Sequence, residues 1–194
     1  MEGKTLLEVK ELHVSFQTYM GTSHAVRGTS FALREGETLA IVGESGCGKT
    51  VTAKAIMGLL PQPQSLIDKE RGQILYRGEN LLALGEKQMA TLRGNKISMI
   101  FQDPMTSLNP TMRVGEQIAE SMVIHQGLKK DEALKKAADM LDLVRIPNAA
   151  KRLRQYPFEF SGGMRQRAMI AIALACRPKV LIADEPSSAL DVTS

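Results

Sequence analysis

The 194-residue sequence predicts an α/β fold with a helical segment inserted into it. Three observations carry that prediction. Apolar runs of strand length occur at Leu39-Ala40-Ile41-Val42, Lys96–Phe101 and Val180-Leu181-Ile182-Ala183, each passing straight into glycine-rich or polar sequence. Apolar residues at helical spacing follow the first run and precede the last. Between Asp103 and Arg165 the dominant pattern is helical, with turn signals at its start.

Residues 5–42 read as short strands joined by turns. Leu7 and Val9 alternate with polar neighbours, Val14-Ser15-Phe16 and Ser30-Phe31-Ala32-Leu33 are further strands, and Glu35-Gly36-Glu37 turns the chain into the run at 39–42, a buried strand. Tyr19 lies in the polar stretch Gln17–Gly21, expected to be flexible, where an aromatic side chain can stack on a nucleotide base. Phe16 competes with it by spacing, and a plain surface tyrosine is the alternative. Beyond residue 50, Ala53, Ile56, Met57 and Leu60 mark one helix face, and Pro61-Gln62-Pro63 ends that helix.

Gly72–Gly78 is a strand bounded by turns, Leu81–Arg93 a short helical connection, and Lys96–Phe101 a strand leading to Gln102. Asp103-Pro104 and Asn109-Pro110 mark turns. Val114, Ile118 and Met122 then form one apolar stripe, and Leu134, Ala137, Leu141 and Val144 a second, with lysines on its other face. A helix opening near Ser161 has Met164, Ala168, Ala171, Ile172 and Ala175 as its apolar face. Arg177-Pro178 breaks it before Val180–Ala183, read as a buried strand ending in Asp184-Glu185-Pro186.

Composition narrows the class. Hydrophobic residues at 43% and charged residues at 24% are ordinary for a globular chain, and a net charge of +4 does not argue for nucleic acid. No apolar run reaches the length of a membrane span, and the N-terminus lacks the apolar core of a signal peptide. Cys47 and Cys176 do not make a disulfide framework, so a reducing cytoplasm is expected.

Gly43-Glu44-Ser45-Gly46-Cys47-Gly48-Lys49-Thr50 fits the phosphate-binding loop pattern, glycine, four residues, then Gly-Lys-Thr. Glycines let backbone N–H groups converge on phosphate oxygens, and the following helix start adds partial positive charge. Lys49 reaches the β- and γ-phosphates, and the Thr50 hydroxyl ligates Mg²⁺. An incidental lysine in a glycine turn is the plain alternative, weakened by the flanking strand and helix patterns.

Two further constellations bear on chemistry. In Phe160-Ser161-Gly162-Gly163-Met164-Arg165-Gln166-Arg167, Ser161 is placed as an N-cap and the glycines permit close approach of a phosphate. Taken alone, it also reads as a plain capped helix. Asp184 and Glu185 end an apolar strand, where open α/β sheets place ligands. Asp184 can hold Mg²⁺ through water, and Glu185 can polarise a water in line with the γ-phosphate. A solvated strand end is the alternative.

The phosphate loop, Gln102, Phe160–Gln166, Val180–Glu185 and Ser188-Ala189-Leu190-Asp191, in that order, resemble the nucleotide-binding domain of an ATP-binding cassette (ABC) transporter across nearly the whole chain. The ten-residue run Phe101–Pro110 resembles more narrowly the glutamine loop of bacterial oligopeptide and dipeptide importers and their nickel-importing relatives. The resemblance implies a phosphate-loop NTPase core of the RecA-like, ABC type with an N-terminal antiparallel β subdomain. Residues 1–102 and 166–194 would form the β subdomain and ATP-binding core, and 103–165 the inserted helical subdomain.

It also implies the site. Gly43, Ser45, Gly46, Cys47, Gly48, Lys49, Thr50 and Val51 would bind ATP in one subunit, with Tyr19 on the base. Ser161 and Gly163 would reach the nucleotide held by a second ABC ATPase subunit, in a homo- or heterodimer, and Asp191 would join the two sites. Thr50, Gln102 and Asp184 would serve Mg²⁺, and Glu185, Gln102 and Lys49 the hydrolysis. The expected function is ATP hydrolysis on the cytoplasmic face of the inner membrane, energising peptide import through permease subunits docked near the glutamine loop, with an extracytoplasmic binding protein as an indirect partner.

The family's switch histidine follows the acidic strand. His13, His24 and His125 all lie upstream, so the C-terminal part of the domain is expected to be missing, and hydrolysis by residues 1–194 alone to be weak or absent. Two rivals stand against the importer reading. A soluble cassette ATPase acting on nucleic acid or ribosomes would call for a basic arm or an aromatic-interleaved basic patch, and neither is visible. A module that binds ATP without turning it over is distinguished by comparing binding with phosphate release.

Overall fold

The computed structural model describes residues 3–103 and 107–185. They fall into two compact units, divided between Ala90 and Thr91.

The first unit is built on a long hairpin. Strands β1 (Thr5–Thr18) and β2 (Gly21–Arg34) pair antiparallel from Thr5↔Arg34 to Thr18↔Gly21. β3 (Ser65–Ile67) and β4 (Gln73–Tyr76) pair with β1 on its other side, and β5 (Glu79–Asn80) extends β4. The several short strands expected over 5–34 are thus two continuous ones. The cause is a parity change. Leu7 and Val9 point inward at odd positions, Leu12 and Val14 at even ones, and the irregularity between them contains Glu11 in the left-handed region (φ 43°). An extra residue on one strand flips which side chains face the core, so one bulged strand imitates two.

Two more expectations fail in this unit. Residues 39–42 form no strand: Leu39 is 40%, Ile41 48% and Val42 90% exposed, and among the described residues no strand pairs with them. Apolar composition makes a strand possible, but a ladder partner makes it one. Helix α1 (Lys49–Ile56) also ends before Pro61. Gly58 (φ 62°) follows the cap, its N–H donates to Ala55 O, and Leu59 N–H donates to Lys54 O, the paired bonds of a glycine-terminated helix. Ala53, Ile56, Met57 and Leu60 are nonetheless all buried as their spacing predicts. Past β5 comes a single 3₁₀ turn, Leu81–Ala83, and α2 (Glu86–Leu92) crosses the division between units.

The second unit pairs β6 (Ile97–Ile100) with β7 (Val180–Ala183) in parallel, Ile97 opposite Val180 and Ile100 opposite Ala183. Only Val180 of β7 is buried; Leu181 and Ala183 are exposed, so the strand is less enclosed than its composition suggests. Helices α3 (Val114–Gln126), α4 (Lys130–Leu143) and α6 (Gly162–Leu174), with the short α5 (Ala149–Arg152), enclose one apolar core. Val114, Ile118 and Met122 from α3, Ala137 and Leu141 from α4, and Ala168, Ala171 and Ala175 from α6 and its cap are buried there, while Leu134, Val144, Met164 and Ile172 pack at its margin. Ile100 of β6 meets Met169 and Ala173 on another side of α6, tying the strand pair to the helices. Among the described residues no helix is long and apolar enough to cross a membrane.

Candidate functional site

The phosphate-type loop runs from Gly43 into α1, and its local packing explains its glycines. A Cβ on Gly43 would lie 2.6 Å from Cys47 Sγ. Gly48 caps α1 with φ 91°, and a Cβ there would lie 2.5 Å from Ala25 O on β2. Gly48 thus excludes any larger residue, whereas a Cβ at Gly43 would make the exposed Cys47 side chain turn away. The turn is closed by Cys47 N–H donating to Glu44 O at 3.3 Å, with Ser45 and Gly46 exposed on it. Thr50 and Val51 are half-buried in the first turn of α1.

Lys49 turns back into this loop. Its Nζ donates to Gly43 O at 2.7 Å and Glu44 O at 2.8 Å, and lies 3.7 Å from Cys47 Sγ. The ammonium thus occupies the concavity of its own loop, held by carbonyl dipoles. An anion entering there meets a cation already in place. Tyr19 lies at the two-residue turn between β1 and β2, fully exposed; Thr18 Oγ1 donates to Gly21 O at 2.7 Å across that turn. The stretch expected to be flexible is therefore a tight hairpin end.

In the second unit, parallel pairing brings two predicted residues together. Because Ile100 sits opposite Ala183, Gln102 and Glu185 leave adjacent strands at the same level, and Asp184 N–H donates to Ile100 O at 3.0 Å. Gln102 Nε2 then donates to Glu185 Oε2 at 2.6 Å. Asp184 is buried, whereas Gln102 and Glu185 are exposed. Glu185 takes φ 48°, a left-handed conformation that costs a non-glycine residue about 1–2 kcal/mol and that concentrates at functional positions.

At the start of α6, Ser161 Oγ accepts from Met164 N–H at 3.3 Å, the cap expected from sequence. Arg165 Nε donates to Phe160 O at 3.0 Å, and Phe160 is buried in the helical core, which fixes the entry of the helix. Among the described residues nothing lies within 4 Å of where a Cβ would stand on Gly162 or Gly163. Their neighbours do not require glycine. Asp191, with the rest of Ser188–Asp191, lies outside the described residues, as do Pro104, Met105 and Thr106 of the glutamine-loop run.

Sequence reasoning missed Gln117 and Ser107, which bond to backbone groups at Asn109, Met112 and Asp103. Gln117 is buried on α3 and Ser107 Oγ donates to Asp103 O at 2.6 Å. A glutamine among the apolar positions of α3 was the available signal.

A glycine loop entering a helix beside a β-hairpin, together with a Gln–Glu pair at the ends of parallel strands, defines a phosphate-loop NTPase fold. The solved structures agree. The ATP-binding cassette MJ0796, in a dimeric post-hydrolysis state bound to ADP and Pi, superposes with a TM-score of 0.84 over 96% of this chain and 77% of its own, at 24% identity.

The family model for the ABC transporter matches residues 26–188, and the chain belongs to that family. It is 58% identical over 188 residues to the oligopeptide transport ATP-binding protein OppD of Bacillus subtilis (strain 168), covering 97% of this chain and 52% of that protein. It is 56% identical to the dipeptide transport ATP-binding protein DppD of the same organism, covering 97% of this chain and 56% of that one. The glutathione import ATP-binding protein GsiA of Shigella dysenteriae is 52% identical, and this chain covers 32% of it. The chain thus spans about half the length of the first two relatives.

Proposed function

We propose that this chain is the ATP-binding part of a subunit that hydrolyses ATP to drive peptide import. The observation that carries the reading is the self-filled phosphate loop: Lys49 Nζ held by Gly43 O and Glu44 O in a turn where Gly48 has no room for a Cβ. Such a cradle suits a tetrahedral anion, with Lys49 exchanging carbonyl partners for phosphate oxygens on binding.

Gly43, Ser45, Gly46, Cys47, Gly48, Lys49, Thr50 and Val51 hold the phosphates, and Tyr19 meets the base. Thr50 and Asp184 offer hard oxygen donors of the kind Mg²⁺ takes, and Gln102 an amide oxygen. Mg²⁺ usually keeps several waters and is bound through one or two protein oxygens together with phosphate oxygens. When bound, Mg²⁺ would neutralise charge developing on the phosphates.

Glu185 takes the proton of the attacking water, and the Gln102 amide holds its carboxylate in orientation through the 2.6 Å bond. Ser161 and Gly163 meet the nucleotide of a second ATPase subunit, with Asp191 linking the two sites. The open space over Gly162 and Gly163 supports this assignment, since nothing among the described residues requires glycine there. Residues 103–165 are assigned as the helical subdomain ending at that motif.

Import of oligopeptides or dipeptides rests on the names of the relatives. Permease subunits in the membrane, a second ABC ATPase and an extracytoplasmic binding protein are the partners assigned on the same ground. The chain would act as a peripheral subunit on the cytoplasmic side of the membrane.

The test separates binding from turnover in the full cellular protein. Lys49→Ala should abolish tight Mg-ATP binding. Glu185→Gln should keep binding and cut phosphate release by about 10²–10⁴-fold, the range for loss of a general base. Equal hydrolysis by wild type and Glu185→Gln would remove Glu185 from the chemistry.

A further inference from the structure

The chain between β6 and α3 is held at its far end by one buried side chain. Gln117, 8% exposed, accepts from Asn109 N–H through Oε1 at 2.9 Å and donates through Nε2 to Asn109 O at 2.9 Å and Met112 O at 2.8 Å. Both amide hydrogens and the amide oxygen are thereby engaged with backbone groups that would be costly to leave unsatisfied.

The same turn is fixed twice more. Leu108 is buried in the helical core, and Asn109 Oδ1 accepts from Thr111 N–H at 3.0 Å and Thr111 Oγ1 at 2.8 Å. Nearer β6, Ser107 Oγ donates to Asp103 O at 2.6 Å, and Asp103 follows Gln102 directly. Bonded contacts therefore run from Gln117 to the turn at 109–112, from Ser107 to Asp103, and from Gln102 to Glu185.

We propose that Gln117 is a positioning residue for Gln102: by locking the turn at Asn109–Met112 it sets where the Gln102 amide meets Glu185. The proposal rests on the functional reading above for its effect on rate, but not for its structural content. Ser107 is the intermediate link. A glutamine that only satisfied the backbone of the turn would, on replacement by an apolar side chain, cost stability and leave Gln102 in place. Replacing a residue that fixes Gln102 would not leave it there.

The experiment uses Gln117→Met, which keeps side-chain length and removes all three hydrogen bonds, in the full cellular protein. Its kcat for ATP hydrolysis should fall about tenfold with KM within about twofold, the pattern for an interaction that matters in the transition state. Gln102→Ala should lower kcat by itself, and the double variant should be no slower than Gln102→Ala, because residues acting as one unit are not additive. Ser107→Ala, which leaves the core untouched, should move kcat in the same direction by a smaller factor.

Leu134→Ala loosens the same helical core elsewhere and should lower Tm by several degrees with kcat within about twofold. Independently of nucleotide, hydrogen exchange at the amides of Gln102 and Asp184 should accelerate several-fold in Gln117→Met. Multiplicative losses in the double variant, unchanged exchange at those amides, or an equal kcat loss in Leu134→Ala would each overturn the proposal. Should the wild type not hydrolyse ATP, the functional reading falls, and the exchange measurement alone decides whether Gln117 positions Gln102.

Discussion

The two glycine-rich helix starts of this chain use glycine for opposite reasons. At α1 the chain itself leaves no room at Gly48, where a Cβ would press on the backbone of β2 at φ 91°, and a Cβ at Gly43 would displace the Cys47 side chain. At α6, Gly162 and Gly163 face open space, and the helix is capped conventionally by Ser161. Of the first pair, Gly48 is required to form the loop. Glycine in a helix costs up to about 1 kcal/mol relative to alanine, and among the described residues no neighbour of the second pair offsets that cost. Their cations are placed differently too: Lys49 turns back into the loop before α1, whereas Arg165 in the first turn of α6 donates to Phe160 O.

That contrast can be broken by substitution. Gly163→Ala should produce the largest change of the set, a loss of about 10²-fold in ATP hydrolysis in the full cellular protein, the scale of removing one well-placed transition-state contact. Its Tm should hold or rise, since alanine is the better helix former. A variant with normal hydrolysis would show that the open space is unused. Gly48→Ala should do the reverse in stability, losing about 2–3 kcal/mol in denaturant unfolding, because strain at positive φ adds to a backbone clash. Ser161→Ala should give the smallest stability effect, about 1 kcal/mol or less for a single exposed cap. A larger loss would mean that the cap carries more of the α6 start than its 3.3 Å bond suggests.

The helical core was legible because its signal is periodic and local. Val114, Ile118 and Met122, or Ala168, Ala171 and Ala175, declare a buried face by spacing alone, and every one is buried. The phosphate loop was legible for a different reason: its residue types are dictated by chemistry, so their order can be read without the fold. What stayed hidden depends on pairing. Leu39–Val42 reads as a strand until one asks what it bonds to, and Val180–Ala183 reads as enclosed until Leu181 is seen to be exposed.

The parity change at Glu11 hid the continuity of β1 for the same reason, since a bulge is defined against a partner strand. Within the candidate site, Gln102 and Glu185 were each found by motif, but their 2.6 Å contact follows from the parallel register, which no local pattern encodes. Gln117 was passed over because a single polar residue on an apolar face looks like noise until its three partners are known.

The two cysteines turn the central claim into one measurement. Cys47 is exposed beside Lys49 in the phosphate loop, whereas Cys176 is buried behind α6, where burial pushes its thiol pKa up against the partial opposition of hydrogen bonds with Ser121 and Gln126. Cys47 should therefore be alkylated by a small maleimide while Cys176 is spared, because the thiolate is the reactive form. If the loop at 43–50 grips the phosphates, saturating Mg-ATP will slow labelling of Cys47 by at least about tenfold, as exclusion from a ligand-filled site requires at high occupancy. Labelling of Cys47 at the same rate with and without Mg-ATP, under conditions where ATP is shown to be bound, would place the nucleotide elsewhere and contradict the account.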